Sequence, residues 1–162
     1  MTTASDHARI DAWVDAHFDA EVRFLQALVR VPTDTPPGDN APHAERTAAL
    51  LAEFGFEAEA HAVPDARVRA AGLQSLTNLV VRRPYGGAGR VIGLNAHGDV
   101  VPPGAGWTRD PYGGEIADGR LYGRAAAVSK SDFATYVFAT RALETLRDRL
   151  RGGVELYFTY DE

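Results

Sequence analysis

The sequence contains no cysteine. Disulfide bonds, cysteine nucleophiles and thiolate zinc sites are therefore excluded, so any metal ion has to be bound by histidine and carboxylate side chains. Positive charge is not in excess either, because 17 basic residues stand against 22 acidic residues and give a net charge of −5. Nucleic acids and anionic membranes require clustered positive charge, so we expect neither as a partner.

Long apolar runs are also missing, and none approaches the length of a transmembrane helix. The N-terminal stretch, MTTASDHARIDAW, contains acidic residues and no apolar segment of signal-peptide length. We therefore expect a cytoplasmic protein. A chain of 162 residues with 45% hydrophobic residues can form one domain with a core of reasonable size.

Helices and strands are predicted to alternate along most of the chain. Apolar residues at three- and four-residue spacings predict helices over residues 6–30, 41–54 and 129–150. Alternating or continuous apolar character predicts strands over residues 56–63, 76–82, 90–96 and 154–159, with a short hairpin around Asp118-Gly119. This order of elements is typical of an α/β layered sheet.

Two polar residues, His97 and Asp99, follow the predicted buried strand 90–96, at the edge where α/β sheets collect ligands. Their side chains point the same way, because alternate residues of a strand share a face. A metal-binding imidazole usually has its second nitrogen anchored by a carboxylate, so the pair could supply a ligand and the group that orients it. Taken alone, an ordinary hydrogen-bonded pair explains the pattern better.

The surrounding segment, residues 94–130, resembles the central signature of the co-catalytic zinc hydrolases. This family includes acetylornithine deacetylase, succinyl-diaminopimelate desuccinylase, aminoacylase and related carboxypeptidases. The matching residues, in order, are His97, Asp99, Pro102, Trp107, Asp110-Pro111-Tyr112, Asp118-Gly119, Tyr122-Gly123-Arg124 and Lys130. The earlier TDTPPGDN and the closing YFTYDE also have counterparts in the family. The resemblance implies a three-layer αβα catalytic domain with a mostly parallel or mixed sheet.

The resemblance also implies a role for each matched residue. His97 would bind zinc, with Asp99 as its supporting carboxylate, and Glu162 would be the general base for the metal-activated water. One or two zinc ions are expected, with cobalt or manganese as substitutes. The reaction would be hydrolysis of an amide bond in a small-molecule substrate, either a peptide or an N-acyl amino acid.

The chain departs from the family pattern at position 128, where the family has an aspartate that bridges two metal ions. Gly123-Arg124 and Lys130 fix the register, so Val128 occupies that position. Without the carboxylate, two neighbouring dications lose the anion that offsets their repulsion. Three alternatives stay open: a single metal ion, another bridging group such as Ser129 or Asp132, or a catalytically silent relative that serves as a binding or regulatory protein.

Residues 1–162 correspond to the N-terminal portion of such a catalytic domain. The resemblance places the remaining metal ligands and a lid or dimerisation domain after residue 162. We therefore expect this portion to be inactive by itself. The full-length protein is expected to be a zinc-dependent amidohydrolase or metallopeptidase, and to form a homodimer through the missing domain.

Other candidates are weaker. His7, His17, His43 and His61 match no ligand position and are predicted to lie on the surface or on helix faces. The segment 86–89 is predicted to be a hairpin-type turn, because it lacks the Lys-Ser/Thr ending of a phosphate loop. No Gly-x-Ser-x-Gly elbow occurs, which argues against a serine hydrolase.

Overall fold

The structure is a computed structural model that describes residues 3–161. Its elements are α1 (Ala4–Val29), α2 (Ala41–Glu53), β1 (Ala58–Ala62), α3 (Asp65–Ala70), β2 (Thr77–Gly86), β3 (Val91–His97), β4 (Glu115–Ala117), β5 (Arg120–Tyr122), α4 (Lys130–Leu143), a 3₁₀ helix (Glu144–Arg149) and β6 (Gly152–Thr159). Within this range, no helix combines the length and apolar character needed to cross a membrane.

The main sheet has four strands in the order β1-β2-β6-β3, and β4 and β5 form a separate hairpin. Strand β6 is parallel to β3. Strand β2 is antiparallel to both of its neighbours, β1 and β6. The predicted α/β class with a mixed sheet is therefore confirmed. The predicted hairpin-type turn at 86–89 is wrong, because β6 lies between β2 and β3 and separates them.

One face of the sheet carries the core. Val81, Leu156 and Leu94 lie side by side on three neighbouring strands, and the first two are fully buried. Helix α4 packs on this face through Phe133, whose ring centroid lies 4.6 Å from that of Phe158 in β6. Helices α1 and α2 join the same layer through a ring cluster formed by Phe24, Phe54 and Phe138. The helices of the described residues thus cover the face that holds the apolar side chains.

Two features of the helices differ from the sequence prediction. The helix predicted over 129–150 ends as an α-helix at Leu143 and continues as the 3₁₀ turn. There the buried carboxylate of Glu144 accepts hydrogen bonds of 2.7 and 2.9 Å from Arg83 of β2. The short helix α3 was not predicted, because its six residues are too few to show a helical repeat.

Candidate active site

A cleft of about 520 Å³ opens at the carboxyl end of β3. It is lined by Thr35, His97, Asp99, Val100, Val101, Trp107 and residues 123–128. Two of the three predicted site residues, His97 and Asp99, therefore lie in one cleft. The third, Glu162, lies outside the described residues. The cleft is where α/β sheets most often bind their ligands.

His97 and Asp99 contact each other directly. Nδ1 of His97 lies 3.1 Å from the backbone carbonyl oxygen of Asp99 and 3.4 Å from its carboxylate Oδ1. Both side chains are largely buried, with 20% and 8% of their surfaces exposed. Because Nδ1 faces Asp99, Nε2 is the nitrogen through which the ring would bind a metal ion, with Asp99 fixing the ring's orientation.

The backbone of this loop is held from two sides. The amide of Gly98 donates a 2.8 Å hydrogen bond to the carbonyl of Thr159 in β6. The hydroxyl of Thr33 donates to the carbonyl of Gly98 at 2.7 Å, and the amide of Val100 donates to the carbonyl of Thr33 at 3.1 Å. The imidazole of His97 is therefore carried by a backbone segment with little freedom to move.

Val128 stands at the predicted bridging position and points into the cleft, with 69% of the residue exposed. The two neighbouring oxygen donors are turned elsewhere: the hydroxyl of Ser129 donates a 2.7 Å hydrogen bond to Oδ2 of Asp132, and neither residue lines the cleft. The geometry thus gives no support to Ser129 or Asp132 as a replacement bridge.

The donor set tests whether the chain by itself fits a metal. An imidazole with a supporting carboxylate is the right kind of group for zinc, but a zinc site has three or four protein ligands. Between residues 3 and 161, no group of three or more histidine, aspartate or glutamate side chains could hold a metal ion. The described residues therefore do not fit a zinc pair, and further ligands would have to come from elsewhere in the protein.

A buried lysine supports the wall of the cleft. Lys130 is fully buried, and its Nζ donates a 2.8 Å hydrogen bond to the carbonyl of Val31. Burial lowers the pKa of Lys130 to about 7, and the charge of Asp34 acts in the opposite direction. Tyr112 donates its hydroxyl hydrogen bond to Asp34, which raises the pKa of Tyr112, although burial is the larger cause. Lys130 and Tyr112 thus help to build the cleft rather than line it.

The structure also shows a buried histidine that the sequence prediction missed. His43 was predicted to lie on the surface or on a helix face; it lies on α2, but on the side of that helix that is fully buried. Its Nδ1 lies 2.6 Å from the hydroxyl of Tyr160, just after β6. The available signal was its place in a helical stripe with Thr47, Leu50 and Leu51, which faces the core.

Comparison with known proteins finds similarity to the family that the motif around His97 resembles. Residues 93–162 match peptidase family M20/M25/M40. Succinyl-diaminopimelate desuccinylase from Cereibacter sphaeroides is 42% identical over 146 residues, which span 87% of this chain and 34% of that protein. The chain therefore corresponds to about a third of the length of this relative.

Solved structures confirm the fold. Dipeptidase Dug1p from Saccharomyces cerevisiae matches with a TM-score of 0.71 and 15% identity, over 94% of this chain and 34% of that one. Human carnosine dipeptidase 1 matches with a TM-score of 0.67 and 22% identity, with the same coverage of 94% and 34%. The predicted resemblance to the N-terminal part of the co-catalytic zinc peptidase and deacylase family is confirmed.

Proposed function

We propose that residues 1–162 form the N-terminal portion of the catalytic domain of a metal-dependent enzyme that cleaves an amide bond. The chain is similar to the N-terminal third of an M20-type hydrolase. The observation that carries the proposal is the contact between His97 and Asp99 at the carboxyl end of β3. It lies within the segment that matches the peptidase family.

In this proposal each site residue has one task. His97 binds a metal ion through Nε2, and Asp99 holds the imidazole in the orientation that this needs. Glu162 is the general base that accepts the proton of the attacking water. Zinc, or in its place cobalt or manganese, would be held by His97 together with further ligands, and would supply the Lewis acidity that favours deprotonation of water near neutral pH. The remaining ligands are contributed by the part of the protein that follows.

The proposed substrate is a small molecule with an amide bond, either a peptide or an N-acyl amino acid. The sequence relative is a desuccinylase and both structural relatives are dipeptidases, so the two substrate types come from different comparisons. The higher sequence identity, 42%, favours an N-acyl amino acid as the first substrate to try.

A second candidate function rests on Val128, which puts an exposed apolar side chain in the cleft where the family has a bridging carboxylate. A relative that is catalytically silent and acts as a binding or regulatory protein would tolerate this change. We favour an enzyme with a single metal ion, because a silent site has no need to keep His97, Asp99 and Glu162 together.

The test is hydrolysis of N-succinyl amino acids, other N-acyl amino acids and dipeptides by the full-length protein with added zinc or cobalt. We expect turnover that is lost in Glu162→Gln while bound metal is retained. Glu155→Gln is the matched control, because this carboxylate of β6 pairs with Arg82 and does not line the cleft. Absence of turnover with every substrate and metal would leave the binding protein as the better account.

A further inference from the structure

A buried polar cluster lies directly behind the His97–Asp99 loop. His43 and Thr47 are fully buried on α2, and Tyr160 is 2% exposed. The hydroxyl of Tyr160 lies 2.6 Å from Nδ1 of His43. The rings of His43, Tyr160 and Phe133 meet edge to face, at centroid distances between 5.5 and 6.2 Å. None of these groups lines the cleft or has a task in the proposed reaction.

The direction of the hydrogen bond follows from the neighbouring groups. The hydroxyl of Thr47 donates its proton to the backbone carbonyl of His43 at 2.8 Å. Burial lowers the pKa of His43 well below its ordinary value, and the charge of Lys130 acts in the same direction. A hydrogen bond with the backbone of Leu28 acts in the opposite direction. A neutral imidazole carries one N–H; with that proton on Nε2, Nδ1 is the acceptor, and we assign the hydroxyl of Tyr160 as the donor.

Tyr160 in turn touches the loop that carries the site residues. A Cβ atom added to Gly98 would lie 2.5 Å from Cε1 of Tyr160 and 3.2 Å from Cζ of Phe133. Glycine therefore lets the backbone between His97 and Asp99 rest on the tyrosine ring. The position of that ring sets how closely the loop approaches the end of β6, to which Gly98 is also hydrogen-bonded through Thr159.

We infer that His43 is a positioning residue, which holds the hydroxyl of Tyr160 and thereby fixes the His97-Gly98-Asp99 loop relative to the chain that leads into Glu162. The expected effect of His43 on turnover rests on the proposed function, whereas its expected effect on the loop does not. His43 touches neither substrate nor metal. It acts through the ring of Tyr160, which contacts both α2 and the site loop.

The experiment compares four single variants and one double variant of the full-length protein. Tyr160→Phe removes the hydroxyl but keeps the ring, and His43→Leu removes the acceptor. His43→Asn keeps an acceptor close to the position of Nδ1, so it should restore what His43→Leu loses. Thr140→Val is the matched control, because Thr140 is equally buried and its hydroxyl donates to the carbonyl of Tyr136 within α4.

The first readout is amide hydrogen exchange of residues 97–101 and of the end of β6. We expect Tyr160→Phe and His43→Leu to exchange several-fold faster at the site loop than the wild type. His43→Asn and Thr140→Val should resemble the wild type there. In the double variant of Tyr160→Phe with His43→Leu, amide exchange at the site loop should be no faster than in either single variant. All three variants lose the same hydrogen bond, the one between Tyr160 and His43.

The second readout is turnover. We expect kcat to fall by about 10- to 100-fold in Tyr160→Phe and His43→Leu, the scale set by small misplacements of reacting groups. KM should be unchanged, because substrate contacts are intact. If global stability falls but exchange at the site loop stays at the wild-type rate, the positioning role is refuted. A wild-type protein without any hydrolytic activity refutes the proposed function instead, and the exchange comparison then still decides the inference.

Discussion

Nδ1 of His97 lies 3.4 Å from Oδ1 of Asp99, at the carboxyl end of the strand β3. The same nitrogen lies 3.1 Å from the backbone carbonyl oxygen of Asp99. The side chain and the main chain of one residue thus both face one edge of the imidazole, and together they select the nitrogen that remains for a metal ion.

The first prediction concerns this contact. Replacing Asp99 by Asn should weaken zinc binding by the full-length protein about 10- to 100-fold, the usual effect of losing a carboxylate behind a metal-binding histidine. Competition with a chelator of known affinity measures the change. Asp110→Asn is the control, because Asp110 caps the amide of Tyr112 and does not line the cleft. Equal zinc affinity in Asp99→Asn and the wild type would remove Asp99 from its supporting role.

The second prediction concerns Val128. Because its side chain is exposed in the cleft, an aspartate there should be tolerated by the fold. Val128→Asp should raise the number of metal ions bound per full-length chain from one to two, since it restores an anion between two cations. Val128→Asn, which has nearly the same shape but no charge, should leave the number at one. Two ions in the unaltered protein would contradict the single-metal account.

The third prediction concerns Lys130, whose pKa is lowered to about 7 by burial. Below pH 7 the folded and unfolded states both hold the proton, and the folded state bears the full cost of the buried charge. Between pH 7 and about 10.4, the ordinary lysine pKa, only the unfolded state keeps the proton. Unfolding then takes up a proton, so this residue makes stability rise with pH, by up to about 1.4 kcal/mol per pH unit.

Lys130→Met removes this titration. The difference in free energy of unfolding between wild type and variant should therefore change across pH 7 to 10, in favour of the wild type at the alkaline end. Urea unfolding at several pH values measures it, and the comparison cancels the other groups that titrate in this range. Arg124→Met is the control, because it also removes a cationic side chain, but one that is less buried and whose Nε donates to the carbonyl of Val101. A constant difference between wild type and Lys130→Met would contradict the assignment.

The fourth prediction concerns Gly98, which lies against the ring of Tyr160. Gly98→Ala places a methyl group 2.5 Å from Cε1 of Tyr160 and should lower the free energy of unfolding by about 1–3 kcal/mol. Gly93→Ala is the control on the preceding strand β3, because Gly93 is exposed and the atom nearest to its added methyl group would be Cε2 of Tyr157 at 3.3 Å. If the two variants are equally stable, the close packing behind the site loop is not the constraint proposed here.

Features that depend on local repeats were predictable from the sequence. The strand predicted over 90–96 is observed as Val91–His97, and the helix predicted over 41–54 as Ala41–Glu53. The position of His97 and Asp99 follows from the same local pattern, because His97 is the last residue of β3 and Asp99 follows two residues later. Their contact needed only the alternation of side chains along an extended backbone.

Features that depend on contacts between distant segments were not predictable. The last strand, β6, inserts between β2 and β3, which no local pattern indicates. The end of α4 at Leu143 coincides with the pairing of Glu144 with Arg83, 61 residues away in the chain. The contact of His43 with Tyr160, 117 residues away in the chain, is likewise set by the fold, although the helical stripe indicated the burial of His43 itself.

The most direct test of the central claim is the metal content of the purified full-length protein, measured by elemental analysis for the wild type and for His97→Ala. We expect one zinc ion, or one cobalt or manganese ion, per wild-type chain and its loss in His97→Ala. His61→Ala, which removes an exposed histidine that pairs with Glu59, should retain the ion. A wild-type protein that binds no metal, or a His97→Ala variant that binds as much as the wild type, would contradict the account.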